Sequence, residues 1–419
     1  MKKGLWMLLA GLMTIGTSVS AFASARLDSM GADARQVGDI DLIWLYPNMV
    51  TDYKNTVDFR LFPYGNQGDA VNEWGGALVD AQDLGVFGVY VNRPTDEYSN
   101  IYRLWGSGPV RPTLRYSEGQ VGNLPWLMAE AVNYAFDYNN QVDLFWGKKF
   151  GDSSFGLHFN YGAGQNTNIG GGLTTDEVYS LDAGLGLNNV GPFGTLNIHA
   201  GYAIEGMTRG TDKDSGIYTA KLGALAISDL DADNSLHLFA DAQMDGFKFD
   251  NTYNAANVDY SDWALDLGAS VNRKIDGGKG LFSTGVILDY IAGSSPSDSA
   301  DFNINEWNLV WNASLEAPVS DWLTLRTGLS KLIVARVYDR TNFYGDGTGY
   351  DNTSANSNLG ADNVKFSTGF GITWQNFTLN ASVDAASLED SINNVQPGNG
   401  ILFAGTILTV ETADLSYKF

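Results

Sequence analysis

The chain contains no cysteine. That excludes a disulfide framework, a thiol nucleophile and any Cys-ligated metal. Proline is scarce, with 10 residues in 419, and charged residues make up 17% where soluble domains usually carry roughly 25%. Basic residues are in the minority, giving a net charge of −23, which argues against nucleic acid as a partner. Beyond the first two dozen residues no run of about 18 apolar residues occurs, so no transmembrane helix is expected and a membrane could be crossed only by strands.

What is abundant is glycine and aromatic residues: 49 Gly, 11 Trp, 20 Tyr and 21 Phe. The chain opens with Lys2 and Lys3, then the apolar run LWMLLAGLM, then small residues ending in Ala21-Phe22-Ala23. This order reads as a secretory signal, residues 1–23, cut before Ser24. Losing its two lysines would take the net charge from −23 to −25. The expected location is therefore extracytoplasmic.

From about residue 141 onward, segments of roughly ten residues alternate apolar and polar and are separated by turn residues. In SDWALDLGASVN, Trp263, Leu265, Leu267, Ala269 and Val271 share one face, and Asp266, Ser270 and Asn272 the other. FGLHFNYG, TLNIHAGYAI and EWNLVWNASL repeat the pattern. Short connections (148–153, 188–193, 229–234, 273–279, 317–321, 375–376) alternate with longer Gly/Asn/Asp-rich ones (163–176, 206–214, 248–259, 292–303, 339–362, 390–400). The expected fold is all-β: a transmembrane antiparallel β-barrel of about 14–16 strands, with short periplasmic turns and long extracellular loops. Its three earliest strands fall near 55–62, 74–80 and 84–91, and the barrel occupies residues 55–419. Residues 24–54 form a periplasmic or lumenal segment. Residues 92–140 do not alternate; an inward loop, an apolar collar and two unphased strands all fit them.

The polar parity carries the candidate pore-lining residues Arg60, Asp143, Asp182, Asp241, Asp266, Asp289, Arg326 and Arg336, with Asp384, Lys221 and Lys365 beside them. A lumen lined by Asp, Asn, Ser and Gly is wettable and suits a channel; the same groups could also pair across the lumen and close it. His158, His199 and His237 fall on polar faces of every second strand, about 10 Å apart by strand spacing, which reads as isolated lumen histidines with no shared metal. Asp229, Asp231 and Asp233 have the D-x-D-x-D spacing of a calcium loop without its Gly and distal Glu, which reads as an acidic turn. Lys331 falls on an apolar parity, so a bulge near Ser330 or a misphased segment is expected there. No Ser-His pairing lies within one strand register; no enzymatic activity, cofactor or metal is expected.

The chain ends in ADLSYKF, with Ala413, Leu415, Tyr417 and Phe419 on one face. This end resembles the C-terminal signature of bacterial outer-membrane barrels of the porin kind. The resemblance implies that Leu415, Tyr417 and Phe419 form the signal read by the barrel-assembly machinery, and that the last strand closes on the first. The location it implies is the cell outer membrane, with its lipids and lipopolysaccharide as partners; acidic stretches such as TTDEVY and SPSDSAD could bridge to lipopolysaccharide phosphates through divalent cations. Oligomeric state stays open.

Residues 25–50, ARLDSMGADARQVGDIDLIWLYPNMV, resemble the opening of the long-chain fatty-acid transporter (FadL/PorV-type) superfamily. Met30-Gly31-Ala32, Asp39-Ile40-Asp41 and Pro47 carry the likeness, although Asn48 follows the proline instead of preceding it. The resemblance implies an N-terminal segment folded into the lumen and apolar ligands guided past it. The function expected is passage of small solutes or hydrophobic molecules across the outer membrane, with a non-conducting structural or secretion-associated barrel as the alternative.

Overall fold

The computed structural model describes residues 24–61, 74–93, 140–166, 174–209, 212–213, 216–250, 257–295, 302–338, 364–383 and 410–419. The expectations for residues 1–23, 94–139 and Asp384 lie outside them, as do those for the side chains of Arg336 and Lys365. The chain first forms three short helices, α1 (Ala25–Met30), α2 (Ala34–Val37) and α3 (Leu42–Leu45), and a 3₁₀ turn, Pro47–Thr51. The strands β1 (Thr56–Leu61), β2 (Trp74–Asp80), β3 (Val86–Val91), β4 (Asn140–Phe150), β5 (Ser153–Asn166), β6 (Thr174–Val190) and β7 (Phe193–Arg209) follow. Then come β8 (Asp212–Lys213), β9 (Gly216–Asp229), β10 (Asn234–Asp250), β11 (Asn257–Ile275), β12 (Gly280–Ser295), β13 (Phe302–Ser320), β14 (Leu323–Tyr338), β15 (Val364–Trp374), β16 (Phe377–Val383) and β17 (Val410–Lys418).

Every pairing is antiparallel, and β8 is only a two-residue extension beside β7. The other sixteen strands form a closed ring, because β17 pairs with β1 from Ala413↔Leu61 to Lys418↔Thr56. Closure leaves no unpaired edge, the condition for crossing hydrocarbon with strands. No helix among the described residues is long and apolar enough to cross a membrane. A β-bulge lies at Ile333, skipped between Leu332↔Val310 and Val334↔Leu309, which is why parity inverts past Lys331.

The outer face is apolar, with Leu222, Leu238, Leu267, Val271 and Leu325 all exposed. Two aromatic girdles bound it. Tyr161 and Tyr179, Tyr202 and Tyr218, and the row Trp263, Tyr290 and Trp307 are neighbours on the side away from the short turns. Trp374, Phe377, Tyr417 and Phe419 form the other girdle at the short-turn rim. Aromatic rings favour both interfaces of a bilayer, so the girdles mark where the apolar band begins and ends.

The strands run on past the girdle that lies away from the short turns, so the edges of several segments expected as loops are strand. Segments read as loops, 163–166, 206–209, 248–250 and 292–295, continue as paired strand, and TTDEVY lies within β6. Gly, Asn and Asp disfavour strands only weakly when ladder hydrogen bonds are already in register. Strands of up to 19 residues therefore exceed the roughly 9–11 that a bilayer needs.

Candidate functional site

The site is the lumen itself, filled by residues 24–55 in the half nearest the short turns. Two apolar clusters anchor this plug. Leu27, Met30, Ala34, Val37, Leu42 and Tyr46 pack on Leu225, Phe239 and Ile287 of the wall. Ile43, Trp44 and Val50 pack on Trp74, Leu78, Val86, Tyr90 and Phe145. Trp44 meets Tyr90 and Phe145 edge-on at 5.0 and 4.9 Å between ring centres, and the Arg93 guanidinium lies 3.8 Å over its ring.

Local chemistry shapes the plug. Ser24 caps α1 through its hydroxyl, and the helix ends on Gly31 at φ +55°, a left-handed position that favours glycine. Asp33 and Gln36 form a capping box around α2. The wall is shaved where the plug comes closest: a Cβ on Gly328 would collide with the Met30 carbonyl, and one on Gly156 with the Pro47 carbonyl.

Charged groups then tie the plug to the wall. Arg35 pairs with Asp33 at 2.6 Å, with Asp241 at 2.5 Å and with Asp266 at 3.6 Å. Asp241 also accepts from the Tyr46 hydroxyl at 3.2 Å and lies 2.8 Å from His199 Nε2. Arg26 bridges Asp39 at 3.0 Å and Glu316 at 2.8 Å, and Glu316 also takes Arg326 at 2.6 Å. Arg60 is held by Asp41 at 2.6 Å, Asp58 at 3.0 Å and Asp414 at 3.9 Å. Gln36 meets Asn312 side chain to side chain, while its carbonyl accepts from Ser270 and Asn272. Burial, together with the repulsion of Asp39 and Asp58 and against the pull of Arg60, raises the Asp41 carboxyl to about 7.

The candidate pore residues divide accordingly. Asp241 and Asp266 share Arg35 of the plug, Arg326 shares Glu316 with Arg26, and Arg60 holds Asp41. Asp143 and Asp182 flank His158 at 2.8 and 3.1 Å, and Asp289 is buried. The histidines are not isolated, which corrects that expectation: His158 stacks on Phe145 at 4.4 Å between its two carboxylates, His199 meets Asp241, and His237 Nδ1 lies 3.0 Å from the Arg35 carbonyl oxygen. Each sits close to its plug or strand neighbour because the lumen is packed, not water-spaced. Asp231 is spent inside its own turn, accepting from Asp233, Asn234 and the Asn234 side chain, and these bonds hold its carboxyl below the usual range. Phe419 N donates to the Asn55 carbonyl at 3.0 Å, and Tyr417 stands opposite Val57 and Phe377.

Sequence reasoning missed the wall positions that receive the plug. Phe145, Leu225, Phe239 and Ile287 point inward although apolar. Their signal is the interruption of alternation: Leu144-Phe145-Trp146, Leu238-Phe239 and Val286-Ile287-Leu288 are greasy on both faces.

No family model matches the chain, and no curated protein matches it. Solved structures do. The translocator domain of the autotransporter NalP from Neisseria meningitidis matches with 12% identity and TM-score 0.32 over 65% of this chain and 90% of that one. The FrpB iron transporter of Neisseria meningitidis matches with 9% identity and TM-score 0.39 over 80% and 63%. The Serratia marcescens hemophore receptor HasR, in complex with its hemophore HasA and heme, matches with 10% identity and TM-score 0.38 over 78% and 53%. The chain thus spans less than two thirds of the length of the last two. These likenesses concern the barrel framework alone.

Proposed function

We propose that the protein is a plugged conduit of the outer membrane that passes small solutes across a polar lumen when residues 24–55 shift from the wall. The observation that carries this reading is the character of the plug's hold: Arg26, Arg35 and Gln36 reach wall carboxylates and amides, so part of the contact is ionic and exchangeable with water and solute. A plug meant only to fill the barrel would be better served by apolar packing throughout, since buried ion pairs stabilise little once desolvation is counted. Lipid and lipopolysaccharide contact the outer face, and the barrel-assembly machinery reads Leu415, Tyr417 and Phe419 during insertion.

The test is conductance in a planar bilayer with fatty-acid binding measured alongside. The protein should be nearly silent at rest and conduct when Arg35 is neutralised. Tight fatty-acid binding without conductance would move the reading to apolar ligands, as the likeness of residues 25–50 implies. Silence in both assays for both proteins would replace it by the non-conducting structural or secretion-associated barrel.

A further inference from the structure

Three carboxylates, Asp41, Asp58 and Asp414, converge on the single guanidinium of Arg60. Asp39, the next acid in this cluster, is taken by Arg26, which also serves Glu316. The cluster is therefore acid-rich and largely buried: Asp58, Arg60 and Asp414 are nearly inaccessible. A buried excess of negative charge calls for a cation.

One backbone nitrogen stands where that cation belongs. The backbone nitrogen of Ser24 donates to Asp41 Oδ2 at 2.7 Å, and the next, Ala25 N, donates to Asp414 Oδ2 at 2.8 Å. Ser24 itself is buried. It lines a cavity of about 310 Å³ together with Arg26, Asp39, Asp58, Arg60 and Asp414. Independently, the small-residue step Ala21-Phe22-Ala23 reads as a cleavage site ending at this same nitrogen.

We propose that Ser24 is the processed N-terminus, and that its α-ammonium is the missing cation, with Asp41 as its receptor and Asp414 holding the adjacent Ala25 amide. Water adds across the Ala23–Ser24 amide bond during processing: the carbonyl carbon takes the hydroxyl and the nitrogen takes the hydrogen. The freed amine then binds a proton from solvent, because an α-amino group titrates at about 8. Removal of the leader thus converts a neutral amide into a charge that locks the plug, so that the lumen closes firmly only in a processed chain. The lock is a property of the plug and does not depend on what, if anything, the lumen conducts.

The test begins with the full-length protein expressed with its leader and recovered from membranes, whose first residue is read by mass spectrometry; Ser24 is expected. The chain beginning at Ser24 and the chain retaining Ala23 are then refolded into phosphatidylcholine vesicles, and amide exchange is followed at Leu27, Asp28 and Leu42. Retaining Ala23 should speed exchange there by at least about tenfold while the barrel keeps its heat-modifiable mobility, because a buried pair loses its charge. Asp41→Asn should give the same loss, and Ala23 should then add less than about twofold more, as expected of coupled neighbours. A first residue other than Ser24, or equal exchange in the two wild-type chains, overturns the proposal. Should Asp41→Asn fail to fold, the comparison of the two wild-type chains decides alone.

Discussion

Asp241, on the barrel wall, receives Arg35 from the plug at 2.5 Å while His199, two strands away, lies 2.8 Å from its other oxygen. A single wall carboxylate thereby couples the plug to two positions of the barrel. Removing one partner of a buried pair leaves the other uncompensated, at a cost of about 3–5 kcal/mol. Arg35→Gln should release the plug, since Asp33 and Asp241 would both lose their counter-charge. The expected outcome is rapid proteolysis within residues 24–52 while the barrel retains heat-modifiable mobility, together with a rise in conductance. An unchanged proteolytic pattern would show that the apolar clusters alone hold the plug.

Gly328 and Gly156 offer a test that leaves every charge in place. A side chain at Gly328 would meet the Met30 carbonyl, and overpacking of this kind costs about 1–3 kcal/mol. Gly328→Val should displace α1, whereas the same change at Gly194, whose nearest neighbour lies at an ordinary 3.4 Å, should not. Hydrogen exchange at Leu27 separates the two, and matched rates would remove the close-approach argument.

The membrane band can be probed face by face. Leu267 lies exposed on the outer wall, and an arginine near the bilayer midplane costs about 2–4 kcal/mol. Asp266, its neighbour, points inward and meets Arg35 only at 3.6 Å. Leu267→Arg should therefore impair folding into liposomes more than Asp266→Asn does, and equal tolerance would contradict an apolar exterior in lipid.

At the chain end, Phe419 is half-exposed and contributes one backbone bond to Asn55. Its loss should change the stability of the refolded barrel little, yet reduce delivery to the outer membrane strongly if Leu415, Tyr417 and Phe419 are read during assembly. Surface levels of a Phe419-deleted protein, set against its refolding in vitro, provide the measurement. Normal surface levels would leave the closing strand with a purely architectural role.

The barrel was legible in the chain because period-two alternation and turn residues recur at every strand. Sixteen strands, the pairing of β17 with β1, and the inward parity of Asp143, Asp182 and Asp241 all follow from that one pattern. The plug was less legible, because Leu42, Ile43, Trp44, Tyr46 and Val50 form a short apolar run with no strand period and no capped helix of useful length. Such a run has meaning only against its receptor, and the receptor residues Phe145 and Phe239 look like lapses in alternation until the plug is in view. The bulge lies at Ile333, close to the Ser330 position that parity at Lys331 suggested, since parity locates a slip only to within a few residues.

With an amide nitrogen at Ser24, Asp41 is raised from 3.8 to about 7, chiefly by burial and then by Asp39 and Asp58, with Arg60 opposing. A carboxyl whose docked pKa exceeds its free value binds a proton in the docked state that the released segment does not hold. Docking should then weaken as pH rises between about 4 and 7 and level off above, by linkage. An ammonium at Ser24, 2.7 Å from Asp41, supplies compensating charge and should flatten that slope. The ammonium itself is stabilised by Asp41, so it holds its proton above the free value of about 8; its contribution is present below that pH and lost as pH rises further. The chain retaining Ala23 should thus lose plug protection between pH 4 and 7, and the chain beginning at Ser24 only above about 8. Protease sensitivity of residues 24–52, measured from pH 4 to 10 and normalised to an unfolded control, distinguishes the two profiles. Superimposable curves would mean that Ser24 carries no charge in the docked plug, and Arg60 alone would then have to balance Asp41, Asp58 and Asp414.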